Sequence, residues 1–174
     1  LKAADACYAG ITTHYVDTAL LDELIDELAA ADSVDECLDQ IACEPGAAPL
    51  ADMRGDIDEH FSRPSVTDIL ESLQASGSEW GHKTGEILRS KSPTSLEITI
   101  RQLTQGAQMS FEDCMRMEYR IVNRIFTGHD FFEGTRAVVI DKDQSPKWQP
   151  ATLADVDPAE IDRYFAMVAS ELPV

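Results

Sequence analysis

Gly128-His-Asp-Phe-Phe-Glu-Gly-Thr-Arg-Ala-Val-Val-Ile-Asp-Lys-Asp-Gln-Ser-Pro-Lys-Trp-Gln-Pro-Ala-Thr152 is the stretch that decides how this chain is read. Asp130 with Glu133 three residues on has the form of a capping box, in which a side chain at each end of the first turn satisfies a free backbone N–H. The spacing therefore predicts a helix over 131–140. Pro146 then ends any regular structure, and Lys142 and Lys147 flank the turn that it makes. Asp141-Lys-Asp-Gln-Ser imitates the start of a calcium loop, but Pro146 stands where such a loop needs Gly, and Thr152 stands where it needs Glu. His129 lies beside Asp130 in the chain, yet adjacent residues rarely face each other, so His129 is read as a helix-entry residue rather than half of a catalytic dyad.

Working outward, the chain punctuates itself as helices. Ser110 with Asp113 opens a helix over 111–126 whose apolar stripe is Phe111, Cys114, Met115, Ile121, Val122, Ile125 and Phe126. Ser92 precedes Pro93 at a first helical position, where the missing N–H costs nothing, and Leu96, Ile100 and Leu103 follow before Gly106. Ser78 starts a helix expected to bury Trp80, Ile87 and Leu88. Ser65 caps one holding Val66, Ile69, Leu70 and Leu73. Toward the C-terminus, Asp157 with Glu160 opens a helix carrying Ile161, Tyr164 and Phe165. On the N-terminal side, residues 44–56 read as a loop, Ser33 with Glu36 caps a short helix, and Asp17 caps a longer one. Residues 2–9 are helical in composition, and Ile11–Val16, β-branched and aromatic, is a strand candidate. The fold class is mainly α. The expected divisions are 1–16, an acidic helical segment with its loop over 17–62, and a C-terminal helical region over 63–174.

Charge is distributed unevenly. The net formal charge is −18, and residues 17–59 hold fourteen Asp and Glu against one Arg. Such a surface repels phosphate backbones and argues against a nucleic-acid partner. No apolar run approaches the ~20 residues that a membrane span needs. Cys7, Cys37, Cys43 and Cys114 show no CxxC spacing, so free thiols in a reducing compartment are expected.

Few residues carry a chemical signal. Asp56, Glu59 and His60 share a helical face as two carboxylates and an imidazole, but an exposed acidic turn is the reading adopted, and no metal site is assigned. There is no GxSxG elbow; Gly77-Ser-Glu-Trp-Gly81 has Glu where the nucleophile belongs. Glu118 interrupts the stripe of the 111–126 helix. A carboxylate buried there needs a partner, and Arg101 or Arg136 is expected to supply a structural ion pair.

Residues 128–152, with Gly10-Ile-Thr-Thr-His-Tyr-Val16, Ser76-Gly-Ser-Glu-Trp80, Lys91-Ser-Pro-Thr-Ser-Leu-Glu-Ile-Thr-Ile-Arg-Gln-Leu103 and Met117-Glu-Tyr-Arg120, resemble the 3-hydroxyisobutyryl-CoA hydrolase branch of the crotonase (enoyl-CoA hydratase/isomerase) superfamily. Glu133-Gly-Thr-Arg-Ala137 matches the EGxxA element of short enoyl-CoA hydratases, but the segment after it departs from their basic one, which favours the hydrolase branch. The resemblance implies the C-terminal helical part of a crotonase-like α/β fold, with residues 1–16 as the tail end of its core. It implies an acyl-CoA thioester hydrolase of valine catabolism whose oxyanion donors and catalytic carboxylates lie upstream of Leu1. On that view the chain covers the acyl and CoA pocket, has no catalytic residue and is inactive alone. CoA is part of the substrate, and no cofactor is implied. Phe131 and Phe132 are then core anchors or a wall of the acyl or adenine pocket. Lys142 and Lys147 are surface residues or contacts to CoA phosphates. The expected partners are the N-terminal half of the same enzyme, the acyl-CoA and further copies of the subunit; the expected location is the cytoplasm, or the mitochondrial matrix in a eukaryote. Two alternatives stay open, the C-terminal part of an enoyl-CoA hydratase and a non-catalytic helical interaction module.

Overall fold

The computed structural model describes residues 1–173. It divides into two compact units, Leu1–Glu59 and the chain from His60 onward.

The first unit contains α1 (Ala3–Tyr8), a 3₁₀ turn at Thr18–Leu20, α2 (Leu21–Ala30), α3 (Val34–Ile41), the single turn α4 (Pro49–Asp52) and most of α5 (Arg54–Phe61). Ser33 accepts from the Glu36 N–H, as its spacing predicts, whereas Asp17 accepts from the Ala19 N–H and caps the 3₁₀ turn, so that α2 begins at Leu21 without the side-chain cap expected of Asp17. α1 packs on α4, and Asp5 accepts a hydrogen bond from the Leu50 N–H at 3.0 Å. Two expectations fail here. Residues 11–16 form no strand; Tyr15 C=O accepts from the Cys43 N–H at 2.9 Å, and one bond to a loop residue is not a ladder. The 44–56 loop in turn contains α4, because Pro49 sits at its first position with φ already suited to a helix. Residues 1–16 therefore join 17–59 in one unit rather than standing apart from it.

The second unit continues with α6 (Val66–Ala75), α7 (Glu79–Arg89), α8 (Pro93–Gly106), α9 (Phe111–Ile125), α10 (His129–Thr135), a π-helical turn at Arg136–Ile140, a 3₁₀ turn at Leu153–Asp155 and α11 (Pro158–Phe165). Ser65, Ser78, Ser92, Ser110 and Asp157 all cap their helices by accepting a backbone N–H. Ile98 of α8, Met117 and Ile121 of α9 and Ile161 of α11 form the central core. α6 buries Val66, Ile69, Leu70 and Leu73, all four of the apolar residues expected. α7 meets α6 through glycine instead of the expected Ile87. Gly81 and Gly85 are buried, Trp80 and Leu88 are half-buried, and Ile87 is 58% exposed. A Cβ on Gly81 would lie 2.8 Å from the Leu73 carbonyl oxygen, so only glycine permits this close crossing. Likewise on α8 it is Ile98 that is buried, while Leu103 is 70% exposed.

His60 opens the second unit. It is buried, its Nδ1 lies 2.8 Å from the Ser72 hydroxyl, and its ring stacks on Trp80 at 6.1 Å. Asp56 and Glu59 stay exposed. Among the described residues no three His, Cys, Asp or Glu side chains converge as a metal site requires. All four cysteines are free thiols. Among the described residues no helix is long and apolar enough to cross a membrane, and there is no strand.

Candidate functional site

The stretch 128–150 folds back on itself. Its helix begins at Gly128, not at Asp130, and no side chain caps it. Asp130 is drawn elsewhere. Its carboxylate accepts from the Ser92 hydroxyl at 2.5 Å, from the Gln149 N–H at 2.8 Å, and meets His129 Nδ1 at 3.0 Å. The expectation that neighbours 129 and 130 would not face each other fails, because His129 Nδ1 and an Asp130 oxygen reach hydrogen-bond distance. The trio is still not a nucleophile with its base. Asp130 stands between Ser92 and His129, so the hydroxyl donates to a carboxylate rather than to an imidazole. Ser92 is itself buried and also accepts from the Ser95 N–H.

Glu133 and Arg136 form the second anchor. Arg136 donates from Nε and Nη2 to the two Glu133 oxygens at 3.0 and 2.8 Å, a bidentate pair of the strong kind. One of those oxygens also accepts from the Lys147 N–H at 2.7 Å. Arg136 Nη1 reaches Asp141 at 2.8 Å and Asp143 at 2.6 Å. The Arg136 fork, followed by the Lys147 N–H, holds the Glu133 carboxyl down to about 2. Arg136 lowers Asp143 as well, assisted by the Ser145 N–H. Arg136 in turn is raised above its ordinary value by its three carboxylates.

These bonds tie residues 141–150 across α10 as a strap. Trp148 lies on Gly134, where a Cβ would come within 3.3 Å of the ring, and its indole N–H donates to the Ser90 carbonyl at 2.9 Å. The peptide between Gln149 and Pro150 is cis. The expected helix over 131–140 changes character at Arg136 and widens into the π turn, whose Val138, Val139 and Ile140 are all exposed.

Between the strap, the first turn of α8 and α11 lies a cleft of about 530 Å³, with Ile98 and Ile125 in its lining and Ser95, Gln149 and Tyr164 among its polar groups. Phe131 lines this cleft and meets Phe126 edge to face at 4.9 Å. Phe132 meets Phe131 the same way at 5.6 Å but points outward, 60% exposed. Lys142 and Lys147 are both exposed, Lys142 at a positive φ of 58° in the strap's turn. The structure thus gathers Phe131, Phe132 and Lys147 around one segment.

The expected ion pair of Glu118 is corrected. Glu118 is exposed and accepts from the Gln102 amide at 3.3 Å. Arg101 instead pairs with Asp162 at 2.5 Å and lies over the Phe165 ring, and Arg136 serves the strap. The buried face of α9 is centred on Met117 and Ile121 rather than on the expected stripe, which turns Glu118 outward. Sequence reasoning also missed the partnership of Ser92 and Asp130, which nothing in the spacing signals. It missed the Glu133–Arg136 pair as well, although the i, i+3 spacing of the two residues was a signal that could have found it.

Comparison with known proteins gives this geometry a family. The sequence profile of the enoyl-CoA hydratase/isomerase family matches residues 1–165, and the chain belongs to that family. Within it, the chain is 41% identical to the mitochondrial 3-hydroxyisobutyryl-CoA hydrolase of Xenopus laevis and 37% identical to that of Homo sapiens, each over 98% of this chain and 47% of the relative. Among solved structures, a carnitinyl-CoA dehydratase from Mycobacterium thermoresistibile superposes with a TM-score of 0.87 at 37% identity, over 97% of this chain and 48% of that one. An enoyl-CoA hydratase from Rhodobacter sphaeroides superposes at 0.78 with 30% identity. The chain spans about half the length of the curated relatives it matches, and corresponds to their C-terminal half.

Proposed function

We propose that this chain is the lid-and-scaffold half of an acyl-CoA thioester hydrolase acting on 3-hydroxyisobutyryl-CoA. The observation that carries the reading is the match of nearly the whole chain, at 37–41% identity, to hydrolases of that name. The internal bonding of the strap agrees with a positioning role, since its carboxylates are occupied by Arg136, Ser92 and backbone N–H groups rather than free to move protons. Thioester hydrolysis builds negative charge on the carbonyl oxygen, and fixed N–H donors must meet it there. We assign those donors, and the carboxylates that activate water, to the other half of the polypeptide. In this half Phe131 and Phe132 form part of the pocket wall, and Lys142 and Lys147 are the cations available to CoA phosphates. CoA arrives as part of the substrate, and the reading includes no cofactor. The relatives' names place them in mitochondria, and we place this protein in the matrix or its bacterial equivalent, the cytoplasm, with further copies of the subunit as partners.

The structural neighbours support a second reading, an enoyl-CoA hydratase, because one is named a carnitinyl-CoA dehydratase and the other an enoyl-CoA hydratase. The two are separated by co-producing this chain with the N-terminal half of the Xenopus laevis relative. Release of free CoA from 3-hydroxyisobutyryl-CoA without hydration of crotonyl-CoA is the expected result; hydration alone would transfer the assignment to the hydratase.

A further inference from the structure

A second groove, of about 510 Å³, lies between α8, the 3₁₀ turn at Leu153–Asp155 and α11. It shares no lining residue with the cleft beside the strap. Ile100, Leu153, Val156 and Ile161 give it aliphatic walls, and Glu97, Arg101 and Asp162 are its charged groups. The volume is that of a small-ligand pocket.

The charges are unevenly matched. Glu97 precedes Arg101 by four residues on one helix, the spacing and order that favour an ion pair. Arg101 is engaged elsewhere. Its guanidinium donates to the Asp162 carboxylate at 2.5 Å and lies over the Phe165 ring, 4.4 Å from its centre. Among the described residues Glu97 has no hydrogen bond and no ion pair. Burial is what acts on its carboxyl group, and pushes it up from the usual carboxylate range. The groove is left with one negative charge in excess, on a half-buried carboxylate beside aliphatic surface. Such a group is unfavourable without a partner, and a cation supplied from outside relieves it.

We propose that this groove binds a small aliphatic primary amine, with the ammonium on Glu97 and the hydrocarbon chain along Ile100 and Ile161. Each part of that ligand answers a feature of the groove. A primary ammonium has N–H donors for the Glu97 oxygens, and a quaternary ammonium has none. Quaternary ammonium groups are held by the faces of aromatic rings. Among the described residues no aromatic side chain lines the groove, and the nearby Phe165 face is covered by Arg101. An anionic ligand would meet the excess negative charge. The inference is independent of the acyl-CoA reading, which concerns a different segment of the chain.

The test is titration of the chain, with isotope-labelled isoleucine methyl groups, followed by NMR at neutral pH and constant ionic strength. The probes are hexylammonium, hexyltrimethylammonium, hexanol and hexanoate, which share one hydrocarbon chain. Expected are saturable shifts of the Ile100 and Ile161 methyl signals, with hexylammonium binding at least about tenfold more tightly than the other three. Glu97→Gln keeps the shape of the site and removes its charge, so hexylammonium should fall to the affinity of hexanol. Glu86→Gln, on an exposed position of α7, removes a charge elsewhere and should change nothing. Circular dichroism checks folding; if Glu97→Gln unfolds, Glu97→Ala, a strong helix former, decides by the same criterion. The inference is overturned if hexylammonium gives no saturable shift, if any of the other probes binds as tightly, or if the Glu97 variant binds hexylammonium as the unmodified chain does. Shifts confined to Ile98 and Ile125, which line the cleft beside the strap, overturn it too.

Discussion

Asp130 takes donors 38, 1 and 19 residues away in the chain, from Ser92, His129 and Gln149. That is why its sequence pattern misled. Asp130 and Glu133 have the spacing of a capping box, but both carboxylates are claimed by partners outside the first turn, and Gly128 begins the helix uncapped. At Ser33, Ser65, Ser78, Ser92, Ser110 and Asp157 no distant donor competes, and the local rule holds. Asp130→Ala strands the buried Ser92 hydroxyl and the Gln149 N–H. An unmet buried polar group costs about 1–3 kcal/mol, so urea denaturation should show a loss of that order, with Asp130→Asn milder because its amide oxygen still accepts. An alanine variant as stable as the unmodified chain would mean that the Asp130 bonds contribute nothing net.

At the scale of elements, helix existence was legible and helix orientation was not. Caps and apolar spacing depend on residues three or four apart, whereas the inward face depends on what the helix meets. Glu118, Ile87 and Leu103 all turned outward for that reason. The α6–α7 crossing shows what the pattern conceals, since its contact is made by Gly81 and Gly85, which carry no apolar signal. In Gly81→Ala the new methyl meets the Leu73 carbonyl oxygen at 2.8 Å and presses on the Ser76 hydroxyl as well. Overpacking of this kind costs about 1–3 kcal/mol, set against a gain of about 1 kcal/mol in helix propensity. Net destabilisation in thermal unfolding is expected, and a raised Tm would show that the crossing relaxes freely. The strap has its own pH signature. Glu133 is lowered from 4.5 to about 2 and Asp143 is lowered from 3.8, so both are depressed in the folded state. Their contribution is complete above about pH 4.5 and is lost as the pH falls toward 2. The indole N–H resonance of Trp148 should therefore hold its folded position through pH 4 and move only nearer pH 2; movement centred on 4.5 would disprove the pairing.

For the whole molecule, the family and the half it represents were legible because the wording of residues 128–152 is long and specific. The two-unit division was not, because it depends on α1 meeting α4 across more than forty residues. The acidic excess is concentrated in the first unit: residues 1–59 hold fifteen acids against two bases, and the rest of the chain holds seventeen against twelve, a balance that leaves the cations of the strap able to meet an anion. Purified alone, the chain should release no CoA from 3-hydroxyisobutyryl-CoA and should not hydrate crotonyl-CoA. Turnover well above buffer in either assay would place the active site within these residues.

The strap's anchors have a consequence for how the protein assembles. Glu133 reaches Arg136 and Lys147, Arg136 reaches Asp141 and Asp143, and Asp130 reaches Gln149, all within nineteen residues. Short loops close with little loss of chain entropy, and contacts of low separation form early. Of the bonds described for the strap's own residues, only the one from Trp148 to Ser90 spans a long separation, 58 residues. The segment that would complete a pocket with another half of the polypeptide can thus take its shape before that half arrives, and presents a finished edge to it instead of being moulded on contact.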